Sequence, residues 1–108
     1  MSNNILLVLC TCPDEESARH LSESLVQARL AACVNIVDPI SSVFAWQGKI
    51  SLEPESLLLI KSTETSYSKL EQAIKAQHPY DVPEIIAIPI LKGSANYLDW
   101  VRDNTCTD

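Results

Sequence analysis

The chain has 108 residues, the length of one compact domain, which leaves too little material for two separate cores. Its 8 basic and 14 acidic residues give a formal net charge of −6, and an acidic chain repels the phosphate backbone of nucleic acids. Hydrophobic residues make up 46% and charged residues 20%, which is typical of a globular domain and excludes a disordered one. We therefore expect a single domain over residues 1–108, with no nucleic acid as a partner.

The N-terminal apolar run and the cysteines bear on location. The run Ile5–Cys10 is much shorter than the ~20 residues that span a bilayer, and no Lys or Arg precedes it. We therefore expect neither a membrane partner nor export. The four cysteines, Cys10, Cys12, Cys33 and Cys106, are too few for a disulfide scaffold. In a chain without an export signal they are interpreted as free thiols, and the localisation as cytoplasmic.

Hydrophobic periodicity and turn residues predict elements in the order β-α-β-β-α-β-α. The predicted bounds, in chain order, are a strand at Ile5–Cys10, a helix at Glu15–Ala28 capped by Asp14, a strand at Cys33–Ala45 with a bend or bulge at Asp38-Pro39, a turn at 46–49, a strand at Ile50–Lys61, a helix capped by Thr63 or Thr65 and ending near Gln77, a strand at Glu84–Ile90, and a short helix capped by Ser94. This order predicts an α+β fold of the ferredoxin-like, split β-α-β-β-α-β type with a short C-terminal helix.

Two features of this plan indicate self-association. The central strands are apolar on both faces, although two long helices cover only one face of a four-stranded sheet. The hairpin between the second and third strands is also long, at about 12 residues or ~40 Å per arm, so its tip is expected to protrude from a domain of this size. Both features predict a homo-oligomer in which identical chains bury the second face and the hairpin. Trp46, at the hairpin tip, is the candidate interface anchor.

Three residues are candidates for metal chemistry. Cys10 and Cys12 are two positions apart, so on an extended strand both thiols point to one face and could together hold a soft ion such as Cu(I). The alternative is that both are small buried residues at a strand end. His78 precedes Pro79 at a predicted helix end, where it either caps carbonyl groups or ligates a metal. A tight structural zinc site is not expected, because the sequence has no C-x-x-C or H-E-x-x-H motif.

The remaining candidates for chemistry are two charged residues, and the sequence lacks the common catalytic and phosphate-binding motifs. Glu84 and Lys61 lie at the ends of apolar strands and either line one pocket with Cys10 or Cys12 or are ordinary solvated charges. No G-x-S-x-G elbow is present, and the two glycines are too few for a Walker or dinucleotide loop. The sequence therefore predicts a protein that is not an enzyme and has no organic cofactor.

Five motifs in order resemble the CutA divalent-cation-tolerance family almost from end to end. They are Thr11-x-Pro13-Asp14-Glu15, Arg29-Leu30-Ala31-Ala32-Cys33-Val34-Asn35-Ile36, Trp46-x-Gly48-Lys49-Ile50, Leu58-Leu59-Ile60-Lys61-Ser62-Thr63 and His78-Pro79-Tyr80-Asp81-Val82-Pro83-Glu84-Ile85. The resemblance implies a ferredoxin-like homotrimer joined through its long hairpins, and a cytoplasmic protein linked to tolerance of copper and other divalent ions. It also implies that Cys10 is linked to copper binding and that His78 is a co-ligand. Cys12 stands where the family often has no thiol.

Our leading hypothesis from the sequence is a trimeric, metal-responsive protein that takes copper or another divalent cation weakly. Its candidate ligands are Cys10, Cys33, His78 and Glu84. The alternative is a regulatory module similar to the PII proteins, which binds a small ligand or a protein partner in clefts between subunits. In that case Trp46, Lys61 and Tyr80 would line the cleft or the interface.

Overall fold

The computed structural model describes residues 3–105, so Cys106 lies outside the described part of the chain. Within it the elements are β1 (Ile5–Cys12), α1 (Glu15–Gln27), β2 (Cys33–Trp46), β3 (Lys49–Thr63), α2 (Tyr67–Gln77), β4 (Ile85–Pro89) and α3 (Ala95–Asp103). The predicted β-α-β-β-α-β-α order is confirmed.

The strands form one antiparallel sheet in the order β2-β3-β1-β4, which is the order of the ferredoxin-like plan. The β2–β3 hairpin makes the molecule elongated, with principal extents of 46 × 26 × 21 Å. Gln47 and Gly48 connect its arms with φ angles of 51° and 78°. Two such left-handed residues form the type of turn whose twist matches that of the flanking strands. The predicted bulge is also confirmed, because the β2–β3 register shifts between Val37 and Ile40.

The two faces of the sheet have different surroundings. The face under α1 and α2 carries the main core, formed chiefly by Val8, Cys10, Leu58, Ile60, Leu21, Leu25, Leu70 and Ile74. On the other face α3 covers only one end, where Val101 packs against Ile5 and Ala32. The rest of that face, which we call the open face, leaves Val37, Ile86 and Ile88 41%, 51% and 44% exposed. The sequence prediction that two long helices leave one face uncovered is therefore confirmed.

Several predicted boundaries were wrong by a few residues. β1 continues to Cys12, because Cys12 still pairs with Ser56 of β3. The predicted capping residue of α2, Thr63 or Thr65, was also wrong. Thr63 belongs to β3, where it pairs with Ile5, and the N-cap position is Ser66. Thr63 nevertheless stabilises this helix start, since its hydroxyl oxygen accepts the Ser66 N–H at 3.3 Å.

Candidate metal centre

Cys10 and Cys12 lie at the end of the central strand β1, on the face that α1 and α2 cover. Cys10 pairs with Leu58 of β3 and with Ile85 of β4, and Cys12 pairs with Ser56. Alternate residues of a strand point to the same side, so both sulfur atoms enter the core. Cys10 is 0% and Cys12 1% exposed, and both are free thiols. The extension of β1 to Cys12 is what brings the second thiol beside the first.

His78 reaches the same place from the end of α2. Its backbone N–H donates to the carbonyl oxygen of Ile74 at 2.8 Å, which closes the last turn of the helix. Its ring Nδ1 accepts the N–H of Tyr80 at 3.1 Å, so the ring proton belongs on Nε2. Nε2 lies 2.7 Å from the carbonyl oxygen of Thr11, to which it donates that proton. Two hydrogen bonds therefore hold the ring over the end of β1.

Cys10, Cys12 and His78 form a cluster in which the three ligating atoms all lie within 4.8 Å of one another. Among residues 3–105 this is the one group of three or more His, Cys, Asp and Glu side chains with that proximity. Two sulfurs and an imidazole nitrogen are donors suited to copper or zinc and poorly suited to magnesium or calcium. The donor set therefore fits a soft or borderline cation.

The two thiols are electrostatically unequal. The thiol of Cys10 donates a hydrogen bond to the sulfur of Cys12, and this bond lowers the pKa of Cys12. The same bond, followed by burial, raises the pKa of Cys10 well above its usual range. The carbonyl oxygen of Thr11, 3.8 Å from the Cys10 sulfur, is a second acceptor for that proton. Of the two thiols, Cys12 therefore has the lowered pKa and Cys10 the raised pKa.

A cavity of about 290 Å³ leads from the surface to this cluster. Cys12 and His78 form part of its wall, together with Asp14, Glu16, Ser17, His20, Leu21, Gln77 and Pro79. Asp14 and Glu16 are exposed carboxylates. Negative charge at the mouth of a cleft raises the local concentration of cations. The cluster is therefore buried but lies beside a route for an ion.

Two further carboxylates lie near the thiols, on the hairpin and at the start of β4. Glu55 and Glu84 both raise the pKa of Cys10, after the larger effects of the Cys12 contact and of burial. The Glu55 carboxylate also accepts a hydrogen bond from the Tyr80 hydroxyl at 2.7 Å. Burial, and secondarily this bond, raises the pKa of Tyr80. Tyr80 therefore connects the His78 loop to the hairpin, beside the cluster.

The structure separates the other predicted site residues from this cluster. Cys33 and Lys61 pair with each other across β2 and β3, and Lys61 also pairs with Leu7, so all three lie on the open face. Lys61 donates a hydrogen bond to Asn35 on the same face. The prediction that Lys61 and Cys10 line one pocket was wrong within one chain, because the two side chains lie on opposite faces of the sheet. Cys33 likewise does not join Cys10.

Trp46 and Glu84 have surface positions. Trp46 is 64% exposed at the end of the hairpin. Glu84 precedes β4 next to the Cys10–Ile85 pair and is exposed. Cys12 is the candidate ligand that the sequence-based ligand set omitted, although its spacing from Cys10 gave a signal for it. Among residues 3–105, no helix is long and apolar enough to cross a membrane.

The fold and the cluster together define a small ferredoxin-like α+β protein with a candidate sulfur-rich metal centre. Comparison with known proteins narrows this class. The family model described as CutA1 divalent ion tolerance protein matches residues 6–104. The chain belongs to the CutA1 family.

Individual relatives agree with this assignment. The chain is 52% identical over 99 residues to "Divalent-cation tolerance protein CutA" of Thermus thermophilus, covering 92% of this chain and 96% of that protein. It is 45% identical to "Protein CutA, chloroplastic" of Arabidopsis thaliana, where the match covers 93% of this chain and 55% of the longer plant protein. The crystal structure of CutA1 from Oryza sativa superposes with a TM-score of 0.95 at 42% identity, covering 97% of this chain and 96% of that one.

Proposed function

We propose that this protein is a homotrimeric divalent-cation tolerance protein that binds copper or another divalent cation and contributes to the cellular response to metal ions. The observation that carries the proposal is the convergence of Cys10, Cys12 and His78 within 4.8 Å. These side chains come from two separate elements, β1 and the end of α2. The donor types are those that copper and zinc use in proteins.

The site is suited to weak, reversible binding. Both nitrogens of the His78 ring already have hydrogen-bond partners, Thr11 and Tyr80, so ligation through Nε2 requires the proton and its bond to be given up. The Cys10 thiol must also lose its proton, and its pKa is raised. Each of these costs lowers the affinity of the folded protein for an ion. No catalytic step and no organic cofactor form part of the proposal.

Exposed apolar surfaces of the single chain support self-association. The resemblance to the CutA family supports three as the number of subunits. The open face exposes Val37, Ile86 and Ile88, and the hairpin tip exposes Trp46 and Ile50. Exposed apolar patches that adjoin one another mark interaction sites. Burial of these surfaces between copies of the chain gives each copy a covered second face.

We also propose a cytoplasmic location, supported by the free thiols at Cys10, Cys12 and Cys33.

Metal titration of the reduced, metal-stripped protein tests the proposal. Native mass spectrometry would give both the mass of the assembly and the number of ions bound for Cu and Zn, each added under a competing chelator. We expect a trimer that takes up about one ion per chain, and a loss of that uptake when Cys10→Ser and His78→Ala are combined. A trimer that binds no ion would contradict the metal proposal, and a monomer at micromolar concentration would contradict the assembly.

Two variants control for indirect effects. Cys33→Ser removes a thiol from the open face and is expected to leave metal uptake unchanged, because Cys33 is across the sheet from Cys10. Lys61→Ala is the corresponding variant for the PII-like alternative, in which the cation effects are indirect. Metal uptake that depends on Lys61 but not on Cys10 would favour that alternative.

A further inference from the structure

We propose that Cys12 makes the metal centre selective for a soft monovalent cation, Cu(I) or its analogue Ag(I), held between the sulfur atoms of Cys10 and Cys12. This inference rests on the proposed function, since it assumes that an ion binds at this cluster. It goes further by naming the oxidation state and the residue that determines it. It also removes His78 from the required ligands.

The positions of the two sulfurs are suited to holding one ion between them. They belong to residues two apart on one strand and point to the same side, within 4.8 Å of one another. For metal–sulfur bonds of about 2.3 Å, the length of zinc–thiolate bonds, a linear S–metal–S unit spans about 4.6 Å. Sulfurs no more than 4.8 Å apart can therefore both reach one ion placed between them. Thiolate ligands select Cu(I) among the copper ions.

The oxygen and nitrogen donors near the two sulfurs already form hydrogen bonds within the protein. The ring nitrogens of His78 bond to the Thr11 carbonyl and the Tyr80 N–H. Glu55 accepts a hydrogen bond from Tyr80. Zinc sites use three or four protein ligands in a tetrahedral arrangement. Within residues 3–105 no fourth His, Cys, Asp or Glu joins the group. Two thiol sulfurs satisfy a soft monovalent ion, whereas they leave a zinc ion short of ligands.

The burial of the two sulfurs affects the cost of bringing an ion to them. Cys10 and Cys12 are 0% and 1% exposed and belong to the main hydrophobic core with Leu21 and Leu58. A divalent ion placed there must lose its water, and the free energy of removing a charge from water into an apolar interior is large. A monovalent ion carries less charge and so costs less to dehydrate. The cost of dehydrating the ion itself therefore favours the monovalent ion at this buried position.

The test compares Cu(I), Ag(I) and Zn(II) on the full-length, reduced protein under anaerobic conditions, with a competing chelator for each ion. Cys12→Ala is expected to weaken Cu(I) binding by about 100-fold or more, at least as much as the loss of an outer-shell partner costs. His78→Gln, which keeps a hydrogen-bonding side chain, is expected to change it only a few-fold. Cys33→Ala is the matched cysteine control, with no expected change. X-ray absorption at the copper edge of the wild type should show sulfur ligands alone.

The outcomes separate this inference from the proposed function. Cu(I) binding that survives Cys12→Ala but is lost in His78→Gln would overturn the inference while leaving a metal site at Cys10 and His78. Zn(II) binding that is tighter than Cu(I) binding, measured against the respective chelators, would also overturn it. A wild type that binds none of the three ions would defeat both proposals. Circular dichroism and the assembly mass of each variant establish that it is folded, and Ag(I) protection from alkylation of Cys12, which lines the cavity, gives a readout independent of affinity.

Discussion

The imidazole of His78 joins the end of α2 to the end of β1, because its Nε2 lies 2.7 Å from the carbonyl oxygen of Thr11. Thr11 is only 7% exposed, so water has little access to that carbonyl. β1 ends one residue later, at Cys12, so the carbonyl is part of the wall around the thiols. An ion could bind Nε2 only by displacing this carbonyl contact.

Removal of this contact should destabilise the metal-free protein. For His78→Ala we expect the free energy of unfolding to fall by about 1–3 kcal/mol, because a buried carbonyl loses its 2.7 Å hydrogen bond and keeps the longer 3.8 Å contact with the Cys10 sulfur. Urea denaturation at one fixed protein concentration measures this, since assembly makes apparent stability depend on concentration. His20→Ala, an exposed histidine on α1, is the control and should lie within about 0.5 kcal/mol of the wild type. Equal stability of the two variants would show that the Thr11 contact contributes nothing.

The tautomer of His78 is a second prediction. Because the Tyr80 N–H donates to Nδ1, the neutral imidazole should carry its proton on Nε2 and not on Nδ1. Nitrogen-15 NMR of the imidazole distinguishes the two neutral tautomers directly. The Tyr80→Phe variant should keep the same tautomer, because the bond comes from the backbone of Tyr80 while its hydroxyl bonds to Glu55. A switch to the Nδ1-protonated form in this variant would contradict the assigned geometry.

Asp14 gives a prediction for pH dependence. Its side chain caps α1, where Oδ1 accepts the Ser17 N–H at 2.8 Å, and this bond lowers the pKa of Asp14 below its ordinary 3.8. A carboxyl group whose pKa is lower in the folded state contributes stability above the unfolded value, and that contribution is lost as the pH falls through the lower, folded value. Asp14→Asn keeps an acceptor at the cap but does not titrate. The melting temperature of the wild type should therefore exceed that of Asp14→Asn at pH 7, by a margin that shrinks in acid. A margin independent of pH would contradict this assignment.

Local patterns in the sequence were sufficient to predict the order of the elements, because the helical and strand periodicities alternate along the chain and turn residues such as Pro13, Gly48 and Pro83 separate several of the elements. The exact ends were harder, since they depend on partners. β1 continues through Thr11 and Cys12 because β3 still offers them Leu57 and Ser56. Nothing local to Thr-Cys-Pro shows that partner strand.

The same limitation explains the candidate ligand set. A one-residue difference in register moves a side chain to the opposite face of a sheet, and register between distant strands is not visible in a single sequence. Cys10 and Cys33 both lie in apolar strands, yet pairing places Cys10 in the helix-covered core and Cys33 on the open face. The Cys10–Cys12 relationship could be predicted because two residues of one strand share a face at any register.

The exposed hairpin tip leads to a prediction about assembly. Trp46 is 64% exposed in the single chain, which is unusual for the largest apolar side chain unless a partner covers it. If it anchors a neighbouring chain, Trp46→Ala should weaken assembly by about 2 kcal/mol for each such contact, or about 30-fold in the dissociation constant. Light scattering and native mass spectrometry over a dilution series measure this, with Val26→Ala on α1 as the control. Trp46 is the last residue of β2 and belongs to no core cluster, so the secondary structure of the variant should persist after the assembly has dissociated. Unchanged assembly in Trp46→Ala would show that the open face, and not the hairpin tip, holds the chains together.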